Sequence, residues 1–270
     1  MGGARRNRKS GNESDESYFV SMTDIMIGML FVFILIIMYF SYQLKIQSEA
    51  QDDYAQSATD HRTQILDELK DYLEGDGQIK IEIDAEQGIL RVPEGVLFDS
   101  GVADIPEGSN ADLFSAKLAA AFAAVIRCSV LNEGLKVFDG SKKCRSKNAN
   151  RAFIESIFIE GHTDNIPIRG GLRGNVKINS NLRLSARRAT NTYENMIAKK
   201  PVLEVFKSPK NEPVFAVSAY GKTRPIDTNS KSSGRANNRR IDIRLLMYIP
   251  DNSAALFDYR KRLEAFYELN

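Results

Sequence analysis

An aspartate stands near the head of the longest apolar run in this chain. The run extends from Phe19 to Tyr42, and from Ile25 to Phe40 it contains no charged residue. A carboxylate at bilayer depth costs roughly 2.5–3.5 kcal/mol on insertion scales. Protonation removes most of that cost, and ionisation makes the group seek water or a cation. Asp24 therefore has the chemistry to take up and release a proton or another small cation. One charge crossing 100 mV is worth about 2.3 kcal/mol, enough to bias how this helix packs against its neighbours. Thr23 could donate a hydrogen bond to the carboxylate, and Ser21 could line its approach. The alternative is a span that starts at Ile25 and leaves Asp24 at the interface as a helix-start residue.

A second group lies far along the chain. Gly161-His162-Thr163-Asp164 closes an apolar stretch that reads as a strand, and a helix opens at Asn181. Asn181, Leu184 and Arg188 fall at i, i+3 and i+7, so they share one face of that helix. A strand-end carboxylate facing them would create a small site with both charges. Asp164 could hold an ammonium and Arg188 could fork onto a carboxylate. A ligand with both groups on one carbon would suit such a site. The competing reading is an Asp164–Arg188 surface ion pair, with Asn181 as a helix cap.

Other reactive residue types form weaker patterns. His61 and His162 are the only histidines and lie about a hundred residues apart, so no zinc site is expected. His162 reads as a packing or hydrogen-bonding residue beside Asp164. The segment Tyr220-Gly221-Lys222-Thr223 echoes a phosphate loop, but Ala216 stands where its first glycine is required. No nucleophile–base pair stands out, and no enzymatic activity is expected. Net charge is only +2, and the basic patches at 142–147 and 235–240 read as solvated faces, so no nucleic-acid partner is expected.

These residues need elements to hold them. Phe19–Tyr42 is long enough as a helix to cross a core of about 30 Å. A cleaved signal sequence has a shorter apolar core and a small-residue cleavage site. This run is longer and ends on Tyr39-Phe40-Ser41-Tyr42, which favours a retained anchor at 18–43. Arg5, Arg6, Arg8 and Lys9 precede it and Lys45 alone follows closely, which places the N-terminus inside and the rest outside. In a bacterium that outside is the periplasm. There Cys128 and Cys144 could form a disulfide or remain two thiols.

Residues 1–17 are polar and read as a disordered tail. Ile65, Leu66, Leu69, Tyr72 and Leu73 space an amphipathic linker helix over 44–78, free to pair with a second copy of itself. Strands are expected over Ile79–Asp84 and Gly88–Val92, then near 153–160, 214–217 and 240–248, with helices over 110–127 and 181–199. A short helix is expected over 251–270. The fold class is α+β, a compact sandwich over 79–250. Residues 129–150 read as an insertion between the cysteines.

The motifs Leu97–Gly101, Ile159–Asp164, Asn181–Ala189, Tyr220-Gly221 and Asn237–Ile243 occur in an order that resembles OmpA-like peptidoglycan-binding domains. The resemblance implies a βαβαββ two-layer sandwich. It implies that Asp164 and Arg188 hold the diaminopimelate of a peptidoglycan stem peptide, with Asn181 and Leu184 beside the ligand and Arg240 near the floor of the site. The 129–150 insertion and the long 169–177 loop depart from compact members and bear on pocket width and access. One membrane helix with an aspartate, a linker and such a domain is similar to the layout of MotB-type stator subunits. The span from Ser21 to Ile37 most resembles the ZorB components of Zorya anti-phage systems. That likeness implies a homodimer inside a ring of five polytopic subunits of the ZorA or MotA type in the inner membrane. It implies no cofactor beyond a translocated proton or sodium ion. The rivals are a flagellar stator subunit, a static membrane-to-wall tether and an ExbD/TolR-like transducer, whose periplasmic domain is shorter.

Overall fold

The computed structural model describes residues 12–75, 77, 79–99, 101–133, 136–139, 141–168, 171–173, 176–178, 180–252, 254–259 and 261; the side chains of 12–21, 171–173 and 176–178 are not among what it describes. The first part of the expected 1–17 tail, the expected role of the Ser21 side chain and most of the expected 251–270 helix therefore lie outside the described residues. Of that last helix, residues 254–259 are helical.

Asn12–Glu74 forms one α-helix of 63 residues, α1. Sequence had placed a boundary between a span and a linker near residue 43. No glycine or proline occurs between Met29 and Glu74, so nothing in the backbone interrupts the helix there. The chain divides into two compact units at Asp52/Asp53. In the first, α1 is long and apolar enough to cross a membrane. All its large apolar side chains from Met22 to Phe40 are exposed. So continuous an apolar surface is stable only against lipid or partner helices.

The second unit begins with the last turns of α1. Ala58, Ile65, Leu66, Leu69 and Leu73 are at most 1% exposed and belong to the main hydrophobic core. The apolar face expected to pair with another copy is thus spent inside the domain. Tyr72, grouped with that face by spacing, is 43% exposed. His61 Nε2 lies 2.7 Å from Ser129 Oγ, Arg62 donates to the carbonyls of Ala85 and Glu86, and Lys147 pairs with Glu68.

A five-stranded sheet follows. Its strands are β1 (Glu82–Asp84), β2 (Ile89–Pro93), β3 (Ile154–His162), β6 (Phe215–Gly221) and β7 (Arg240–Met247), in the order β1-β2-β7-β3-β6. β3 and β6 are parallel and the other pairs antiparallel. β1 is shorter than Ile79–Asp84 because only its last three residues pair with β2. β4 (Gly171–Arg173) and β5 (Val176–Ile178) make a separate hairpin within the long loop.

The helices are α2 (Glu94–Leu97), α3 (Asn110–Val125), α4 (Lys142–Lys147), α5 (Asn181–Lys199) and α6 (Ser232–Asn238). α5 is the crossover between parallel β3 and β6 and packs on both. Strand alternation then sorts the residues of β7. Ile241, Ile243 and Leu245 enter the core, while Arg240, Asp242 and Arg244 point to the other face. The architecture is a mixed α/β, two-layer sandwich behind an N-terminal apolar helix.

Two features fix α5. Ser180 caps it, accepting from the Arg183 amide at 3.2 Å. Gly161 lets it approach β3 so closely that a Cβ there would lie 2.1 Å from the Ser185 carbonyl oxygen. The insertion is also ordered by its own contacts. A disulfide joins Cys128 to Cys144, and the Asn148 amide bonds to the carbonyls of Cys128 and Ala152.

Because the last turns of α1 complete the core, Leu69→Ala is expected to cost about 2–5 kcal/mol. Urea denaturation of the detergent-solubilised chain, followed by tyrosine fluorescence, measures it. A free linker helix would lose almost nothing.

Candidate functional site

Asp164 lies just past the end of β3, buried against the start of α5 and the end of α6. Its Oδ1 accepts from the Ile166 amide at 3.0 Å, an Asx-type turn that aims the carboxylate. Its Oδ2 accepts from Arg239 Nη1 at 2.9 Å. Asn181 donates its side-chain amide to the Asp164 carbonyl at 2.9 Å. It is free to do so because Ser180, not Asn181, is the cap. Leu184, one turn on, packs against Ala103 with Ile168 beside them.

Arg188 forms the floor and is only 1% exposed. Nε donates to the Val102 carbonyl at 2.8 Å and Nη2 to the Asp99 carbonyl at 3.2 Å. Nη2 also pairs with Glu94, and the guanidinium lies over the Phe98 ring at 5.3 Å. Glu94 reaches Arg239 with its other oxygen. The result is a line of alternating charge: Asp164, Arg239, Glu94, Arg188. Burial lowers the Arg188 pKa, and Glu94 opposes that shift. Burial also acts to lower that of Arg239, but its bonds to Asp164 and Glu94 outweigh it and the net shift is upward.

These side chains line a cleft of about 400 Å³ together with Gly101, Thr163, Ile166, Pro167 and Ile168. It brings together Asp164, Asn181, Leu184 and Arg188, four of the five residues that the sequence reading assigns to one ligand site. The competing surface ion pair does not occur, because Arg239 and Glu94 stand between Asp164 and Arg188. Arg240 lies elsewhere, with its Nε 3.0 Å from both oxygens of Asp242. The reason is register: Arg240 is the first residue of β7 and takes the outward face, whereas Arg239 precedes the strand and turns into the cleft. The doublet Arg239-Arg240 signals a site arginine without saying which. Glu94, which opens α2 after Pro93, carried no sequence signal.

The outward sheet face carries a second charged cluster. Arg244 forks onto Glu160 at 2.9 and 3.0 Å, and Arg91 reaches Asp242 at 3.2 Å. His162 is buried between them, with Nε2 3.4 Å from Asp242 and 4.0 Å from Glu160. It stacks on Tyr220 at 5.3 Å, and its ring nitrogens have no hydrogen-bond partner. It therefore sits across the strand from the Asp164 cleft rather than beside it. Glu160, His162 and Asp242 are close enough to hold a metal ion. Arginines already occupy both carboxylates, however, and add positive charge where a cation would bind.

In the other unit, Thr23 and Asp24 lie on α1, two residues and one residue ahead of the uncharged stretch, with Asp24 exposed.

Residues 141–239 match the OmpA family. That stretch contains Asp164, Asn181, Leu184, Arg188 and Arg239, but not Glu94. The motility protein B of Bacillus subtilis (strain 168) is 34% identical over 91 residues, which are 34% of this chain and 30% of that protein's length. Among solved structures, a putative MotB-like protein from Desulfovibrio vulgaris is 21% identical, over 70% of this chain and 93% of its own, with a TM-score of 0.46. The cell wall anchor of the T6SS from Pseudomonas aeruginosa is 20% identical, over 64% and 94%, with a TM-score of 0.41.

Burial, with Arg240 and the other nearby guanidinia, pushes His162 down to about 3. The folded chain keeps it neutral while the unfolded chain protonates it near 6.5, so stability falls as pH drops from about 6.5 towards 3. His162→Phe keeps a stacking ring and removes the titration. It is expected to lose less melting temperature between pH 7.5 and pH 5 than the parent protein, as read by circular dichroism.

Proposed function

We propose that this chain is a peptidoglycan-anchored stator subunit of an ion-driven inner-membrane complex. The observation that carries the reading is the cleft. Within the stretch matched to the OmpA family, four of the five residues that the resemblance assigns to a diaminopimelate site line one opening with both charges at its walls. An ammonium can approach Asp164 while a carboxylate approaches the guanidinia of Arg188 and Arg239. The similarity to a motility protein supports association with a MotA-like membrane partner. The exposed apolar stretch of α1 requires lipid or such a partner around it.

In this reading the N-terminus is cytoplasmic and the domain periplasmic. The charge asymmetry around the span supports that orientation, and so does a disulfide, which suits an oxidising compartment. Asp24 then lies near the cytoplasmic end of the apolar stretch, and uptake and release of a proton or sodium ion there drives motion of the partner ring. A homodimer within five partner subunits is the assembly that the resemblance implies. The finer reading, a ZorB-type subunit of an anti-phage system, rests on the Ser21–Ile37 span. A flagellar stator role is favoured by the motility relative and is the second reading.

Two experiments test this. Asp164→Asn keeps the Asx-type turn but removes the charge, and is expected to weaken co-sedimentation with purified sacculi about tenfold. Undiminished binding, with melting temperature unchanged, would count against the wall site. Arg188→Ala is a poorer probe because it also strips four contacts from the domain. Asp24→Asn is expected to abolish plaque protection in cells carrying the native operon while leaving membrane assembly intact. Retained protection contradicts an ion role in defence; loss of swimming instead identifies the flagellar role.

A further inference from the structure

We infer that Glu94 is a specificity-determining residue of the cleft, tuning it for a free α-amino-acid end over one that has lost its ammonium or its carboxylate. The inference rests on the wall-binding reading and goes beyond it. Glu94 lies outside the residues matched to the OmpA family, yet it is the central link in the line of charges. It is 7% exposed and contacts Arg188 through Oε1 and Arg239 through Oε2. Asp164 holds the far side of Arg239.

The consequence is one of charge balance. Two carboxylates, Asp164 and Glu94, face two guanidinia, Arg188 and Arg239, so the line is neutral. Each added charge at such a depth must meet an opposite one or remain poorly solvated. A free α-amino-acid end adds an ammonium and a carboxylate together and leaves the balance unchanged. Acylation of the amine, as happens when two stem peptides are cross-linked, leaves only the carboxylate and makes the sum −1. Amidation of the carboxylate leaves only the ammonium and makes it +1. With Glu94 absent the line itself would be +1, the Arg188 and Arg239 charges would lack their shared partner, and a carboxylate-only end would be accepted. Glu94 thus sets the cleft towards stem peptides that have not been cross-linked through this amine. Removing Arg239 is the mirror case and favours an ammonium-only end.

The test uses the full chain in detergent micelles and isothermal titration with three probes. They are a muramyl tripeptide ending in diaminopimelate, the same peptide acetylated on its free side-chain amine, and the same peptide amidated on its side-chain carboxylate. The parent chain is expected to bind the first at least about tenfold more tightly than either derivative. Glu94→Gln is expected to shrink the gap to the acetylated probe about tenfold and keep the gap to the amidated one. Arg239→Gln is expected to do the reverse, and the position of that side chain, 29% exposed against 8% for that of Glu94, lets it serve should Glu94→Gln not fold. If the parent binds all three alike, or if the folded variants keep the parental ratios, the inference fails while wall binding stands. If the parent binds none of the three, the wall-binding reading itself fails.

Discussion

A guanidinium that is almost wholly withdrawn from water governs the second unit. Arg188 can stay charged at that depth only because carbonyls of the 98–103 loop and the Glu94 carboxylate surround it. Those contacts in turn tie the loop, the short helix α2 and the long helix α5 to one point. Glu94 then recruits Arg239 from the end of α6, and Arg239 recruits Asp164 from the end of β3. Four stretches distant in sequence are organised by one buried charge and the need to neutralise it. The cleft is what remains open beside that chain.

Much of this was legible in the residue pattern. β3, α5 and β7 follow from alternation and from i, i+3, i+7 spacing, and the order of the motifs pointed to the OmpA family, which residues 141–239 match. The partners inside the cleft were less so. Which arginine of Arg239-Arg240 enters the site depends on the residue at which β7 starts, a one-residue question that composition does not answer. Glu94 acts through pairing across 94 positions to Arg188, and nothing local marks such a contact. The last turns of α1 show an amphipathic face, but a face does not name its partner. Here the partner is the core of the same domain, not another helix of its kind.

The insertion between the cysteines illustrates the same limit. Its Lys, Ser and Asn content reads as a solvated loop. Yet Ser129 and Lys147 reach α1, and Asn148 satisfies carbonyls on both sides of the disulfide. Its place is against the helix rather than over the Asp164–Arg188 cleft, so its effect falls on how firmly that helix segment is held. The rim of the cleft is set instead by Ile166, Pro167 and Ile168.

The approach of Gly161 to Ser185 has a geometric meaning. Asp164 lies three residues beyond the first and Arg188 three beyond the second. The point where strand and helix touch is therefore a common pivot for the two ends of the charge line. Because backbone meets backbone there, the separation of those ends is dictated by atoms that cannot flex. The cleft has the build of a fixed calliper: in the proposed wall-binding role it would gauge the distance between a ligand's opposite charges as well as their signs, and a single methyl group at residue 161 would reset the gauge.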